Sequence, residues 1–322
     1  MADTSDPLHV QTPLIESTVL SKLGGFPVYL KLENCQPTGS FKIRGIGNLC
    51  QKAAQQGCSE IVSSSGGNSG LAAAYAARKL GLHASIVVPE TTPPFTRDRL
   101  KDEGAEVEVH GKVWNEANEL ALKMASKPGC VMVHPFEHPD IWAGHSTMII
   151  EAAKQMHQPP GAIIASVGGG GLMNGILEGM TKVGWQHIPV VAVETEGANC
   201  LNAAIQAGKI VTLPGITSIA KCLGSTVVST QLWDQHKQYK FHSVVVSDKD
   251  AVMACHRFAD DHRMMVEPGC GAALAVIYTD ILHKLQAERK LEQVHSALVI
   301  VCGGSTVTME LMNSWKAQFG LV

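Results

Sequence analysis

The chain has 322 residues, is 45% hydrophobic and 17% charged, and carries a net charge of −3. Domains usually run about 100–200 residues, so two domains or one large α/β unit are expected, and the balanced charge argues against a basic nucleic-acid groove or a polybasic membrane patch. No stretch approaches the ~20 uninterrupted apolar residues of a membrane span, and the nine cysteines form no Cys-x-x-Cys pair, so they read as reduced thiols rather than a zinc site or disulfide framework.

The opening residues, MADTSDPLHVQTPL, lack a charged segment followed by an apolar one. No secretory signal is expected there, and the cytoplasm is the expected location. PVYLKLE (27–33) reads as the first strand, and GSFKIRG (39–45) follows. Its Lys42 is either an ordinary solvated lysine or an amine set apart for covalent chemistry. EIVSSS (60–65) is a second strand, and SSSGGNSG (63–70) leads from it into an alanine-rich helix at 68–81 with Asn68 as candidate N-cap. That loop offers hydroxyls, backbone donors and an amide, which suits a carboxylate. A capped helix with a glycine turn explains it equally.

ASIVVP (84–89), AEVEVH (105–110) and CVMVHP (130–135) are further strands. Between the last two, 114–127 places Ala117, Leu120, Ala121 and Met124 on one helical stripe and stops before Pro128-Gly129. HQPPGA (157–162) reads as a boundary or connector. AIIASVG (162–168) then leads into SVGGGGLMNG (166–175). Four consecutive glycines would weaken a regular element. Placed at a helix N-terminus they let a phosphate approach backbone N–H groups, and the alternative is a purely structural turn. The order is not that of a nucleotide triphosphatase loop. A dinucleotide site would want an acid about 20 residues on. Glu194 at a strand end fits that spacing only loosely.

IPVVAVE (188–194), SVVVSD (243–248) and ALVIVCGG (297–304) complete the strands, with a long buried helix expected over 270–288. VCGGST (301–306) is a third glycine-rich junction. Taken alone, its Cys302 is more often a core residue than a functional one. Several strands are apolar throughout, as in a parallel sheet buried on both faces. The repeated alternation predicts an α/β fold of two domains, each an open, mostly parallel sheet flanked by helices. A small domain over 45–135 is expected, inserted into a larger one built from 1–44 and 136–322.

Open α/β sheets bind ligands at the carboxyl ends of their strands. A phosphate cradle, a carboxylate loop and a reactive lysine together suggest a pyridoxal phosphate enzyme acting on an amino acid. The aldehyde needs an amine, and the phosphate and the substrate carboxylate each need oriented donors.

The chain resembles the L-serine/L-threonine dehydratases among the fold type II (tryptophan synthase β-like) pyridoxal phosphate enzymes. The likeness runs through PLHVQTPL (7–14), YLKLENCQPTGSFKIRGIG (29–47), SSGGNSGLAAAYAARKLG (64–81), PFEHPDIWAGHST (135–147), SVGGGGL (166–172), GWQHIPVVAVET (184–195), VEPGCGAAL (266–274) and VIVCGGS (299–305). It implies that Lys42 carries the cofactor and takes the substrate's Cα proton, with Phe41 and Cys222 on the two faces of the ring. Gly168, Gly169, Gly170, Gly171 and Leu172 would bind its phosphate, Asn68 its hydroxyl, and Cys302 would meet the ring nitrogen. Ser65, Gly66, Gly67 and Asn68 would line the substrate carboxylate.

A monovalent cation (potassium) site would map to Gly168, Glu194, Ala198, Leu223 and Ser225. A strand-end acid paired with a base is the other reading of Glu194. The expected protein is then a homodimeric lyase of amino-acid catabolism and gluconeogenesis, converting serine or threonine to a 2-oxo acid and ammonia. A racemase, a nicotinamide oxidoreductase and a pyridoxal phosphate-binding paralogue without turnover are the rivals.

The sequence departs from the family pattern at Gly66, where some members have alanine. Cys222 also replaces alanine, PFEHP replaces PFDDP or PFDHP, VEPGCG replaces VEPACG, and CGGST replaces CGGSN.

Overall fold

The computed structural model describes residues 6–321. The chain divides into two compact units. The first combines a segment ending at Val10 with Gln36–His145, and the second combines Gln11–Cys35 with the chain from Ser146 onward.

The first unit holds a four-stranded parallel sheet in the order Glu106–Val109, His83–Val88, Glu60–Ser63, Cys130–Met132. Successive side chains of a strand point to opposite faces, and the burial follows that period. Ile61, Ile86 and Val88 join one apolar cluster, whereas Val62 and Val87 join another. The first cluster is completed by Ile43, Ile46, Leu49, Cys50 and Ala53 of the helix Lys42–Gln55 and by the alanines of the helix Asn68–Leu80. The second takes Ala117 and Ala121 of the helix Trp114–Ala125, with Leu120 and Met124 packed at its margin, so the expected stripe is the packed one.

The segment expected as a small domain, 45–135, lies inside this unit, which also includes residues 36–44 and 136–145. The reason is packing. The Lys42 helix packs along the helix Asn68–Leu80 of this unit, and its Gly45 meets the helix Pro139–Gln155 at backbone distance. A Cβ on Gly45 would stand 2.5 Å from the Ile141 carbonyl oxygen, and one on Gly144 would stand 2.7 Å from the Gly45 Cα.

The second unit holds a six-stranded sheet in the order Leu14–Glu16, Val28–Leu32, Ala297–Val301, Ala162–Ser166, Val190–Thr195, Phe241–Val246. The first pair is antiparallel and all others are parallel. Its apolar strands are buried along their length, with helices such as Gly171–Val183 and Pro268–Tyr278 covering them. A lysine inside such a core needs partners. Lys31 donates to Glu151 at 2.7 Å, to the Thr12 carbonyl at 2.9 Å and to Gln155 at 2.9 Å.

Three local expectations are corrected. Leu14–Glu16 is an additional strand, too short to show in the sequence pattern. The helix expected over 270–288 is two helices, Pro268–Tyr278 and Ile281–Ala287, because Asp280 takes a left-handed conformation (φ 63°) that breaks the ladder. Asn68 is the first helical residue rather than the cap, which is Gly67, and no side chain caps that end.

Where the helix Pro139–Gln155 meets the Lys42 helix, Gly144 has no room for a β-carbon. Gly144→Ala should lower stability by about 1–3 kcal/mol through overpacking, read from the urea midpoint. A shift below about 0.5 kcal/mol, the range of surface substitutions, would contradict the close approach.

Candidate active site

In the first unit, the loop before the helix Lys42–Gln55 delivers Lys42 as its first residue. Cations are favoured at the other end of a helix, so this position gives an ammonium no electrostatic help. Lys42 is half-buried and its Nζ donates to the Pro135 carbonyl at 2.5 Å, 5.2 Å from the Phe41 ring centroid. Phe41 in turn lies 4.8 Å from the His145 ring. His145 is fully buried, and neither of its ring nitrogens has a hydrogen-bond partner among the described residues. Burial first, then Lys42, Arg44 and His9, hold its pKa well below the usual histidine range.

The turn after strand Glu60–Ser63 gathers Ser65, Gly66, Gly67 and Asn68. Ser64 Oγ donates to Asn118 at 2.8 Å, and the Gly67 N–H donates to Ser65 Oγ at 3.3 Å. The Ser65 carbonyl occupies the space that a Cβ on Gly70 would need, so the turn closes only over glycine. Behind it stands Thr92: a Cβ on Gly66 would lie 2.7 Å from its Cγ2.

In the second unit, Gly168–Gly171 joins strand Ala162–Ser166 to the helix Gly171–Val183. Gly170 caps this helix at φ 106°, a conformation that only glycine adopts readily. The loop is braced from one side by Ser229, whose N–H donates to the Gly169 carbonyl at 2.8 Å and whose Oγ accepts from Asn174 at 3.0 Å. A Cβ on Gly168 would stand 3.1 Å from the Leu223 Cα. Leu172 is buried in the first turn of the helix.

The neighbouring strand, Ala297–Val301, ends at the same edge and places Cys302 Sγ 3.5 Å from Ser166 Oγ. A hydrogen bond with Cys270, followed by burial, pushes the Cys302 thiol well above its usual pKa, so it is a neutral S–H group at pH 7. Glu267 fixes the loop beyond it by accepting from the Thr306 N–H at 2.7 Å and Oγ–H at 2.6 Å. Cys222 is exposed, and its Sγ fills the place that a Cβ on Gly269 would take.

The residues expected around a cation are close neighbours in part. Glu194 and Ala198 share one strand-end turn, and the Ala198 N–H donates to Thr195 at 2.9 Å. The Leu223 carbonyl accepts from the Ser225 N–H at 2.7 Å, and a Cβ on Gly168 would lie 3.3 Å from that same oxygen. Glu194 is buried and accepts from the Leu201 and Asn202 N–H groups at 2.9 and 2.7 Å, at the start of the helix Cys200–Ala207. Burial pushes its pKa up to about 7 despite those two donors. Among the described residues its partners are thus backbone amides, not a basic side chain.

Phe41, Lys42 and Ser65–Asn68 therefore belong to the first unit, and Gly168–Leu172, Glu194, Ala198, Cys222, Leu223, Ser225 and Cys302 to the second. His134, Pro135, His145, Ser229 and Glu267 were given no role on sequence grounds. PFEHPDIWAGHST, which holds Pro135 and His145, offered a likeness but no periodicity from which contacts could be read.

A model of the family described as pyridoxal-phosphate dependent enzyme matches residues 6–303. The chain is 52% identical over 318 residues to a human protein named serine dehydratase-like, covering 98% of this chain and 97% of the relative. It is 49% identical over 320 residues to human L-serine dehydratase/L-threonine deaminase, covering 99% and 98%. A fungal L-serine ammonia-lyase from Rhizomucor miehei superposes with a TM-score of 0.92 at 36% identity, covering 98% of this chain and 100% of that one.

The neutral state imposed on His145 fixes a pH dependence. Its folded pKa lies below the unfolded value of about 6.5, so between the two the unfolded chain binds more protons. The stability it contributes is complete above about pH 6.5 and is lost as pH falls. The urea midpoint should drop between pH 7 and pH 5, and His145→Gln should flatten that drop. An unchanged slope in the variant would contradict the assignment.

Proposed function

The chain belongs to the pyridoxal-phosphate dependent enzyme family, and on that footing we propose that it is an ammonia-lyase that dehydrates and deaminates L-serine and L-threonine. The observation that carries the reading is Lys42, a half-buried amine beside an aromatic face and held at the Pro135 carbonyl. The substrate class rests on relatives of about half identity named for serine and threonine.

The residues present suit pyridoxal phosphate. Gly168 and Gly170 leave the start of a helix uncovered by side chains of their own, which is what an anionic phosphate requires. Cys302 is a neutral thiol, matched to an uncharged ring nitrogen. When bound, the cofactor supplies an aldehyde for covalent attachment and a ring that spreads the electron pair left at Cα.

Lys42 would carry the cofactor on Nζ and take the Cα proton on the same nitrogen. Gly168–Gly171 and Leu172 would hold the phosphate, Phe41 and Cys222 would lie against the ring, and Asn68 would bond its hydroxyl. Ser65, Gly66, Gly67 and Asn68 would orient the substrate carboxylate. Serine then loses its Cα proton and β-hydroxyl as water. The enamine that is released takes up one water and yields pyruvate and ammonia; threonine yields 2-oxobutanoate.

Glu194, with the carbonyls of Gly168, Ala198, Leu223 and Ser225, would hold a potassium ion, and a homodimer in the cytoplasm is the form we propose. Racemisation would require a second acid/base opposite Lys42. Gly66 offers no side chain for it.

Lys42→Ala should abolish the visible absorbance of attached cofactor and lower 2-oxo acid formation from L-serine by about 10³-fold or more. Turnover retained in that variant would overturn the assignment. Chiral analysis of the residual serine should show L-serine alone.

A further inference from the structure

Resting on that reading of Lys42, we propose that His134 is a positioning residue for the lysine and acts through the carbonyl of Pro135. The two are joined by one peptide plane. His134 Nδ1 accepts the Phe136 N–H at 3.2 Å and the Glu137 N–H at 2.8 Å. The Phe136 N–H belongs to the peptide whose carbonyl is that of Pro135. No peptide among the described residues is cis, so this carbonyl points opposite to that N–H. Holding one end of the plane aims the other, and the aimed oxygen is the one that receives Lys42 Nζ at 2.5 Å.

The rest of the turn is secured in the same way. Trp142 Nε1 donates to the Phe136 carbonyl at 2.7 Å, and the His134 ring meets the Phe136 ring edge-on at 4.6 Å. Pro135 has no N–H to compete for Nδ1. Beyond the turn, the Asp140 N–H donates to His138 Nδ1 at 3.1 Å.

Both bonds to Nδ1 require that nitrogen to be unprotonated, so the ring is neutral with its proton on Nε2. The charged groups around it favour that state. Burial first, then Lys42, then His138 lower its pKa to about 4. Lys42 has four methylenes between backbone and amine. A fixed acceptor selects one arrangement of that stem, and misplacement by about 1 Å can cost about 100-fold in rate.

The test uses the holoenzyme and cofactor-stripped chain of the wild type, His134→Ala and His134→Asn. Asparagine can accept the same two amides through its side-chain oxygen. His134→Ala should lower kcat per bound cofactor by about 10–100-fold, with KM for L-serine changed less than about threefold. It should also slow the growth of visible absorbance when pyridoxal phosphate is mixed with the stripped chain. His134→Asn should recover both to within about threefold of wild type.

A merely structural role predicts a lower melting temperature and reduced occupancy, with kcat per bound cofactor unchanged; that result would overturn the proposal. So would a folded His134→Asn as impaired as His134→Ala. A wild type that never develops the absorbance would overturn the reading of Lys42 and this proposal together. A normal wild type beside an unaltered His134→Ala would overturn this proposal alone.

Discussion

A β-carbon collides with its surroundings at Gly70 and Gly304 and is crowded at Gly168, and the loops of both units depend on that exclusion. At Gly168 the obstacle is the Leu223 backbone, at Gly70 the Ser65 carbonyl, and at Gly304 the Glu267 side chain. Gly168 and Gly304 stand just beyond the carboxyl ends of parallel strands, and Gly70 stands in the first turn of the helix that follows one. There the chain passes from a ladder whose hydrogen bonds are satisfied to a helix whose first N–H groups have no intrahelical acceptor. Side chains at these points would cover the donors. Their absence leaves the peptide groups uncovered, while neighbouring chain such as Ser229 holds the Gly168–Gly171 loop in shape.

Desolvation then sorts the titratable groups around these loops. It drives His134 and His145 toward the neutral ring, and together with the Cys270 hydrogen bond it keeps Cys302 a thiol. It brings Glu194 to the border of ionisation near pH 7. Around Lys42, the two neighbouring imidazoles are uncharged at neutral pH. The chemistry proposed for Lys42 needs an amine that alternates between carrying a cofactor and carrying a proton. Fixed cations beside it would oppose the second state.

The β-branched runs read as nine strands are strands in the structure, because fully buried parallel strands announce themselves by composition. Leu14–Glu16 escaped notice because three half-covered residues in an antiparallel edge carry no such signature. The break at Asp280 is a left-handed residue within an otherwise helical pattern, which apolar periodicity does not encode. The glycine junctions were legible as loops between strand and helix, since four glycines in a row are costly inside a regular element. The setting of Lys42 was not. Its carbonyl partner lies 93 residues away, and the histidine that aims that carbonyl works through a peptide plane rather than a motif. The place of the Lys42 helix in the first unit likewise follows from the meeting of Gly45 and Gly144, a contact between distant segments.

The central claim is that Lys42 is the residue that carries the cofactor. Borohydride reduction of the purified holoenzyme, followed by proteolysis and mass mapping of the peptides, tests it most directly. The account predicts the reduced cofactor's mass on the peptide containing Lys42 and on no other. The mass on any other lysine, or on none after reduction of protein that shows the visible absorbance, would contradict it.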